Sequence, residues 1–171
     1  MVSVSKLIDI LNKPALLHWS NKIGLEGINL KDYRKKSATK GTSKHNQIEN
    51  YLLKGVKFDE SDKLDLLLKD YTILGVEKSI DNGHINGRYD LLLEKDGKKI
   101  VVDFKSNGKI YLNHKLQLST YKEILEADYI GIINFNEWKL DMLEIDTYSY
   151  YEIMFNLYEI YNKIEYLNEK L

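Results

Sequence analysis

Two aspartates and a lysine occur where the strand pattern predicts that they meet. Asp90 and Asp103 lie on neighbouring predicted strands joined by the hairpin signal Asp96-Gly97. With that turn, Asp90 falls directly opposite Asp103, and such opposed residues have Cβ atoms roughly 4.5–5.5 Å apart. Lys105 follows Asp103 by two residues, so strand alternation puts it on the same face. Two carboxylates beside a lysine favour a divalent cation, because oxygen ligands suit such ions.

A third acid, Glu77, belongs to the preceding strand. With Asn82-Gly83 as the turn of that hairpin, Glu77 falls across from Arg88. Arg88 shares strand parity with Asp90, so Glu77 is expected on the same face. An ordinary cross-strand ion pair between Glu77 and Arg88 is the alternative interpretation, and the pattern leaves both open.

The surroundings of the Asp-x-Lys pair favour a site. Asp-x-Lys is common on any solvated strand, so the pair alone is weak support. Here its neighbours are apolar, and an aspartate in an apolar strand opposite another aspartate destabilises the fold unless a cation offsets the repulsion. The apolar neighbours are Ile100, Val101, Val102 and Phe104.

Composition places the chain among ordinary globular proteins. Its 171 residues are 43% hydrophobic and 30% charged. No stretch approaches the ~20 apolar residues of a membrane-spanning helix, and the first residues are too polar for a secretory signal. The absence of cysteine excludes disulfides, thiolate zinc sites and an iron–sulfur cluster. A cytoplasmic protein with no membrane partner is expected.

Charge is unevenly distributed although the net charge is −1. Residues 31–44 hold six bases and one acid, whereas 137–171 hold eight acids and three lysines. Such polarity can present one positive face to phosphates, although a solvated helix face is the alternative. The bases expected to contact nucleic acid are Arg34, Lys35, Lys36, Lys40 and Lys44.

Hydrophobic periodicity predicts one mixed α/β domain over 1–171, a central mixed β-sheet flanked by helices. It divides into a helical part (1–70), a sheet core with one helix (71–146) and a C-terminal helix (147–171). A loop at Gly41-Thr42-Ser43 is predicted to separate a basic helix from a helix that carries His45. Strands are expected at 72–80, 85–94, 99–104, 129–135 and 139–145.

Several short motifs follow one another in a recognisable order. They are Gly41-Thr-Ser-Lys-His45, Glu77, Gly87-Arg-Tyr-Asp90, Asp103-Phe-Lys105 and Gln117-Leu-Ser-Thr-Tyr121. In this order the chain resembles the RecB-like branch of the PD-(D/E)XK nucleases, which includes Cas4-type nucleases. Ser3-x-Ser5, Pro14 and Trp19 also resemble the start of standalone mitochondrial-genome-maintenance-type and phage exonucleases. The resemblance covers about 3–160 and implies a restriction-endonuclease-like core.

The resemblance implies a metal site with a catalytic lysine. Asp90 and Asp103 would be carboxylate ligands of one or two Mg²⁺ or Mn²⁺ ions, and Lys105 the catalytic lysine. His45 would be a further metal ligand on the N-terminal helical part. The backbone carbonyl of Phe104 would complete the site.

Three other positions match the family's pattern. Glu77 matches an acidic position of some members and would join the catalytic group. Gln117 and Tyr121 lie four residues apart on one helix face, and would orient groups or contact DNA.

The implied function is metal-dependent DNA hydrolysis in repair or recombination. A non-specific exonuclease on DNA ends or single strands is favoured, since 171 residues leave little room for a separate recognition domain. A homo-oligomer, or a helicase or recombination protein acting in trans, is an expected partner. The alternatives are a structure-selective or site-specific endonuclease on the same core, and a catalytically silent nucleic-acid-binding module.

Overall fold

The computed structural model describes the chain except residues 12, 13, 107, 108 and 171, together with the side chains of 14–16 and 33–42. The described chain forms two compact units. One comprises Met1–Ile10 and Asp59–Leu171, and the other comprises Leu11–Phe58. No described helix is long and apolar enough to span a membrane. The elements, in chain order, are β1 (Val2–Ser3), α1 (Val4–Ile10), α2 (Pro14–Leu25), α3 (Leu30–Lys54), α4 (Ser61–Leu68), β2 (Thr72–Asp81), β3 (Ile85–Lys95), β4 (Lys98–Lys105), α5 (Leu112–Leu125), β5 (Tyr129–Asn134), β6 (Lys139–Met142) and α6 (Thr147–Asn168).

The larger unit is built on a six-stranded mixed sheet. Strand β3 pairs in parallel with β1 and antiparallel with both β2 and β4. Strand β4 also pairs in parallel with β5, and β6 pairs antiparallel with β5 at the edge of the sheet. Because parallel neighbours need a crossover, α5 connects β4 to β5 and packs on both strands. The mixed α/β fold with helices flanking the sheet is therefore confirmed.

The centre of the sheet is the apolar core of this unit. Strand β4 is buried from Ile100 to Phe104, which is typical of a strand covered on both faces. Helix α5 buries Leu116 and Leu118, and α6 packs on α5 through a face that includes Met154. At roughly 25 cal/mol per Å² of apolar surface, this core supplies the main stabilisation of the strands that carry the acids.

The hairpin of β3 and β4 follows the predicted register. Leu91 pairs with Val102, and Lys95 pairs with Lys98. The turn residues Asp96 and Gly97 have φ of 52° and 73°, the left-handed pair that a two-residue hairpin turn requires.

The hairpin of β2 and β3 turns one residue later than predicted, because the Asn82 N–H donates to the Ile85 carbonyl (3.2 Å) around Gly83-His84. Asp81 pairs with Asn86, so the predicted two-residue turn at Asn82-Gly83 is wrong. The Asn82 side-chain oxygen accepts hydrogen bonds from the backbone N–H groups of His84 (3.1 Å) and Ile85 (2.9 Å), which stabilises the displaced turn. The pairing of β2 with β3 is shifted by two residues from the predicted register, so each side chain stays on its predicted face of the sheet.

The smaller unit contains α2 and the 25-residue α3. Asn29 caps the start of α3, its side-chain oxygen accepting from the N–H of Lys31 at 2.9 Å. Gly55 ends the helix with φ of 69°. The predicted loop at 41–43 is wrong, because the helix continues through it. Each residue there costs at most about 1 kcal/mol in a helix interior, which a long, well-capped helix accommodates.

Candidate active site

Asp90 and Asp103 lie where the paired part of the β3–β4 hairpin ends. The last pair of the ladder at this end is Leu91 with Val102, and both aspartates are the next residues beyond it. Asp90 Oδ2 accepts a hydrogen bond from the backbone N–H of Phe104 at 2.8 Å. The carboxylate of Asp90 thus takes up a backbone donor at the point where regular pairing stops, which fixes it beside Asp103.

Asp103 is buried within the core strand. Its exposed fraction is 4%, and its carboxyl group lies within hydrogen-bonding reach of Asp90. Burial, and then the negative charge of Asp90, raise the pKa of Asp103 to about 7, although the nearby Lys105 opposes the shift. Without a cation, this pair of carboxyl groups therefore tends to keep a proton.

Lys105 lies beside the buried acid, as strand alternation predicts. Its ammonium forms an ion pair with Asp103 Oδ2, while its side chain stays 25% exposed. One side of the lysine thus contacts the buried acid while part of it reaches solvent.

Glu77 brings a third carboxylate to this end of the sheet. The residues on either side pair normally, Val76 with Leu91 and Lys78 with Tyr89, so Glu77 is level with Asp90. Its φ is 48°, a conformation that a residue with a side chain adopts only at a cost. Carboxylate oxygens of Glu77 and Asp90 lie within 4.8 Å of each other.

Glu77 also forms the ion pair that was the alternative interpretation. Arg88 Nε lies 2.6 Å from Glu77 Oε2, with the Glu77 side chain 11% exposed. Arg88 is a diagonal neighbour rather than the directly opposed residue, because the register differs by two. Both interpretations therefore hold: Glu77 binds Arg88 and also lies near Asp90.

Helix α5 places Gln117 and Tyr121 beside the start of β3. Tyr121 is 5% exposed, and its hydroxyl oxygen accepts from Gln117 Nε2 (3.5 Å) and from the backbone N–H of Arg88. Gly87 makes room for the ring, since an added Cβ there would lie 2.9 Å from Tyr121 Cζ. Both predicted residues of α5 therefore lie at the start of β3, the strand that carries Asp90.

The predicted residues of the smaller unit lie on α3. His45 is half-buried, and Lys44 holds its ammonium 4.9 Å from the centre of the Phe58 ring. The side chains of Arg34, Lys35, Lys36 and Lys40 are outside the described part of the structure. Their phosphate contacts, and metal binding by His45, stay predictions.

The comparison with protein families agrees with this chemistry. The family model of the PD-(D/E)XK nuclease superfamily matches residues 34–144, which is more than half of the chain. The chain belongs to the PD-(D/E)XK nuclease superfamily. One similar solved structure, "Crystal structure of SSO0001", has 17% sequence identity and a TM-score of 0.45, over 93% of this chain and 75% of that one. Among curated proteins, none matches.

Membership in the superfamily defines the class of reaction. A PD-(D/E)XK nuclease is a metal-dependent phosphodiester hydrolase that acts on nucleic acid. The residues present fit a divalent cation, because a buried carboxyl pair that otherwise retains a proton offers oxygen ligands to such an ion. The match to the superfamily is confirmed, whereas the RecB-like branch remains a resemblance.

His114 is a candidate active-site residue that the sequence analysis did not identify. It is buried at the start of α5, where its Nδ1 accepts from the backbone N–H of Tyr111 at 3.4 Å. Burial, and then the positive charge of Lys105, lower the pKa of His114 to about 4. The imidazole is therefore neutral at physiological pH. A histidine on the helix after the Asp-x-Lys strand was the only signal available.

Proposed function

We propose that this nuclease is a deoxyribonuclease that acts as a sequence-non-specific exonuclease on DNA ends or single strands. The observation that carries the catalytic part is the buried Asp103 carboxyl group, held against Asp90 with the Lys105 ammonium beside it. Two carboxylates held together there repel each other when both are ionised, and Lys105 offsets only part of that repulsion, so the group favours a bound ligand. A phosphodiester with a divalent cation is the ligand whose charges complement them.

Asp90 and Asp103 would hold the metal, with Glu77 and the Phe104 carbonyl as further oxygen donors. A bound Mg²⁺ or Mn²⁺ ion, or a pair of them, supplies a Lewis acid and lowers the pKa of a bound water. Asp90 is oriented for this by the Phe104 N–H, so that its carboxylate is fixed in advance. Glu77 is held by Arg88 in the same way.

His45 is proposed as a nitrogen ligand on the strength of the family resemblance. A histidine binds metal only when its imidazole is neutral, so its contribution should fall as the pH drops below about 6.5. Replacement by alanine should weaken apparent metal affinity, with Mn²⁺ restoring more activity than Mg²⁺ because Mn²⁺ accepts nitrogen more readily.

Lys105 supplies the positive charge that the reaction needs. Negative charge grows on the phosphoryl oxygens as the nucleophile attacks, and a fixed ammonium stabilises it. The ion pair with Asp103 holds the ammonium in place before the substrate binds. Since the Lys105 side chain is 25% exposed, a phosphate can reach it from solvent.

Non-specific binding is proposed because the cationic residues outside the site suit phosphates. The six bases of 31–44 would attract DNA of any sequence, with an affinity that falls as salt rises. The 13 tyrosines include exposed rings on which single-stranded bases could stack, Tyr111 among them with 52% of its surface exposed.

The test compares linear and circular DNA. Linear single- and double-stranded substrates labelled at one end, and a circular single strand of the same sequence, are incubated with Mg²⁺, Mn²⁺ or EDTA. The proposal expects metal-dependent loss of the linear substrates and a resistant circle. Equal cleavage of the circle would make the enzyme an endonuclease, and no cleavage of any substrate with either metal would overturn the proposal.

A further inference from the structure

A cleft in the larger unit adjoins the three acids. Its volume is about 550 Å³, within the ~300–1,000 Å³ of small-ligand sites. Four of the first five residues (Met1, Ser3, Val4 and Ser5), the end of β2 and the beginning of β3 form its walls. Gln117 and Tyr121 line it from α5.

The cleft exists because the sheet forks. One edge of β3 pairs with β1 at Ile85 and Asn86, and with β4 from Leu91 onward. Residues 87–89 lie between these two pairings and pair with β2 on their other edge, while the Asp90 side chain accepts from the Phe104 N–H of β4. The Tyr121 hydroxyl occupies part of this gap by accepting from the Arg88 backbone N–H. Chain between the two partner strands is thus left accessible to a ligand.

Arg88 connects the cleft to the catalytic carboxylates. It lines the cleft, and its Nε lies 2.6 Å from Glu77, whose carboxylate lies within 4.8 Å of Asp90. Arg88 thus contacts both the cleft and the group of acids.

The lining suits a base and a sugar better than a second phosphate. Hydroxyls of Ser3, Ser5 and Ser79 and the amide of Asn86 can donate and accept hydrogen bonds without charge. Asp81 adds a negative charge among them, which disfavours a phosphate there. Arg88 is a cationic side chain of the lining, and its guanidinium suits the phosphate between the two sites.

We infer that this cleft is the subsite for one nucleotide of the DNA strand, the nucleotide next to the phosphate that is cleaved. The inference rests on the proposed deoxyribonuclease function. The base and sugar of this nucleotide lie among the serine and asparagine side chains. Arg88 binds the phosphate between this nucleotide and the acids. The subsite positions the strand, so it affects affinity for DNA and leaves the hydrolytic chemistry unchanged.

The experiment fills the cleft without changing the acids. Ser79→Phe places a ring in the cleft from an exposed position on β2, and Thr72→Phe puts the same ring at the opposite, exposed end of that strand as the control. Binding of a fluorescein-labelled ten-nucleotide single strand is measured by anisotropy in EDTA. Hydrolysis of bis(4-nitrophenyl) phosphate with Mn²⁺ reports the chemistry on a diester that has no nucleoside.

Ser79→Phe should raise the Kd for the oligonucleotide about tenfold, the loss expected when the contacts of one base are removed. Thr72→Phe should bind the oligonucleotide as wild type does and should hydrolyse the small diester at the wild-type rate. Asn86→Ala, which keeps the backbone pairing, should weaken DNA binding in the same direction if Ser79→Phe fails to fold.

Equal oligonucleotide affinity of wild type, Ser79→Phe and Asn86→Ala would overturn the subsite, as would a wild type that binds no DNA. If the protein is not a deoxyribonuclease, the result is different. Wild type would then leave both the diester and DNA intact with Mn²⁺, whatever the anisotropy shows.

Discussion

Among the described residues, Asp103 is the carboxylate that folding buries most completely, and it should make stability depend on pH. Its pKa is raised from 3.8 to about 7. Between these values the folded protein keeps a proton that the unfolded chain has lost, so the free energy of unfolding should fall as pH rises from 4 to 7. Chemical denaturation of metal-free protein tests this. Asp103→Asn should lose this slope, and an identical slope in both proteins would contradict the buried pair.

His114 also makes the free energy of unfolding depend on pH over much of the same range, but with the opposite sign. Its pKa is lowered from 6.5 to about 4, so here the unfolded chain binds the extra proton. The stabilisation from its neutral form is lost as pH falls from 6.5 towards 4. The two slopes partly cancel in wild type, which is why the Asp103 effect must be read from the difference between wild type and Asp103→Asn.

Metal should stabilise the folded protein through Asp90. A cation that binds only the folded form raises its stability by mass action, and 100 times its Kd gives about 2.7 kcal/mol. Adding Mn²⁺ should therefore raise the Tm of wild type more than that of Asp90→Asn. Asp141→Asn, an acid on β6 that is ion-paired with Lys139, serves as the matched control and should respond as wild type. Equal shifts in Asp90→Asn and wild type would remove Asp90 from the metal site.

At the scale of elements, the β3–β4 hairpin could be predicted and the β2–β3 hairpin could not. Asp96-Gly97 is a local signal, because both residues must adopt positive φ. The second loop depends on Asn82 bonding beyond the turn and on Ile85 pairing with Val2 from the start of the chain. A contact between residues so far apart in sequence cannot be predicted from the local pattern. Strand parity survived, so the three acids were still predicted on one face.

The strand–helix contact at Gly87 gives a prediction of its own. An added Cβ would lie 2.7 Å from Tyr121 Oη, and the ring is too buried to move freely. Gly87→Ala should therefore lower the free energy of unfolding by about 1–3 kcal/mol, as overpacked sites do. Gly24→Ala, with nothing within 4 Å in a helix, is the control and should not destabilise.

A double-mutant cycle identifies the partner in this contact. Tyr121→Leu removes the ring that the new methyl group would meet, so the cost of Gly87→Ala should shrink in that background. Additive costs of the two substitutions would show that the strain at Gly87 does not come from Tyr121.

At the scale of the molecule, the basic segment of 31–44 should provide the general affinity for DNA. Its charges suit phosphates, and each phosphate contact adds to the salt dependence of binding. Replacing Lys35 and Lys36 with alanine should weaken binding to all sequences alike and reduce the slope of log Kd against log salt by about 2. Lys163→Ala with Lys170→Ala, in the acidic C-terminal stretch, is the control pair. An unchanged slope in Lys35→Ala/Lys36→Ala would reduce the segment to a solvated helix face.

The whole-molecule arrangement was only partly predictable. Strand order around β3 and β4 could be expected from two hairpins and one crossover helix, but the two-residue β1 has no pattern of its own. A continuous α3 was also missed, because the glycine, threonine and serine at 41–43 read as a loop while the caps that stabilise the helix lie at Asn29 and Gly55.

The most direct measurement is hydrolysis of end-labelled DNA by wild type and Lys105→Ala in saturating Mn²⁺. Lys99→Ala, on the same strand and of the same parity, is the control. If Lys105 stabilises the charge on the reacting phosphate, its loss should lower kcat by about 10²–10³-fold while Tm changes little, and Lys99→Ala should match wild type. Lys105→Ala that hydrolyses DNA at the wild-type rate would contradict the assignment of the Asp90–Asp103–Lys105 group as the active site.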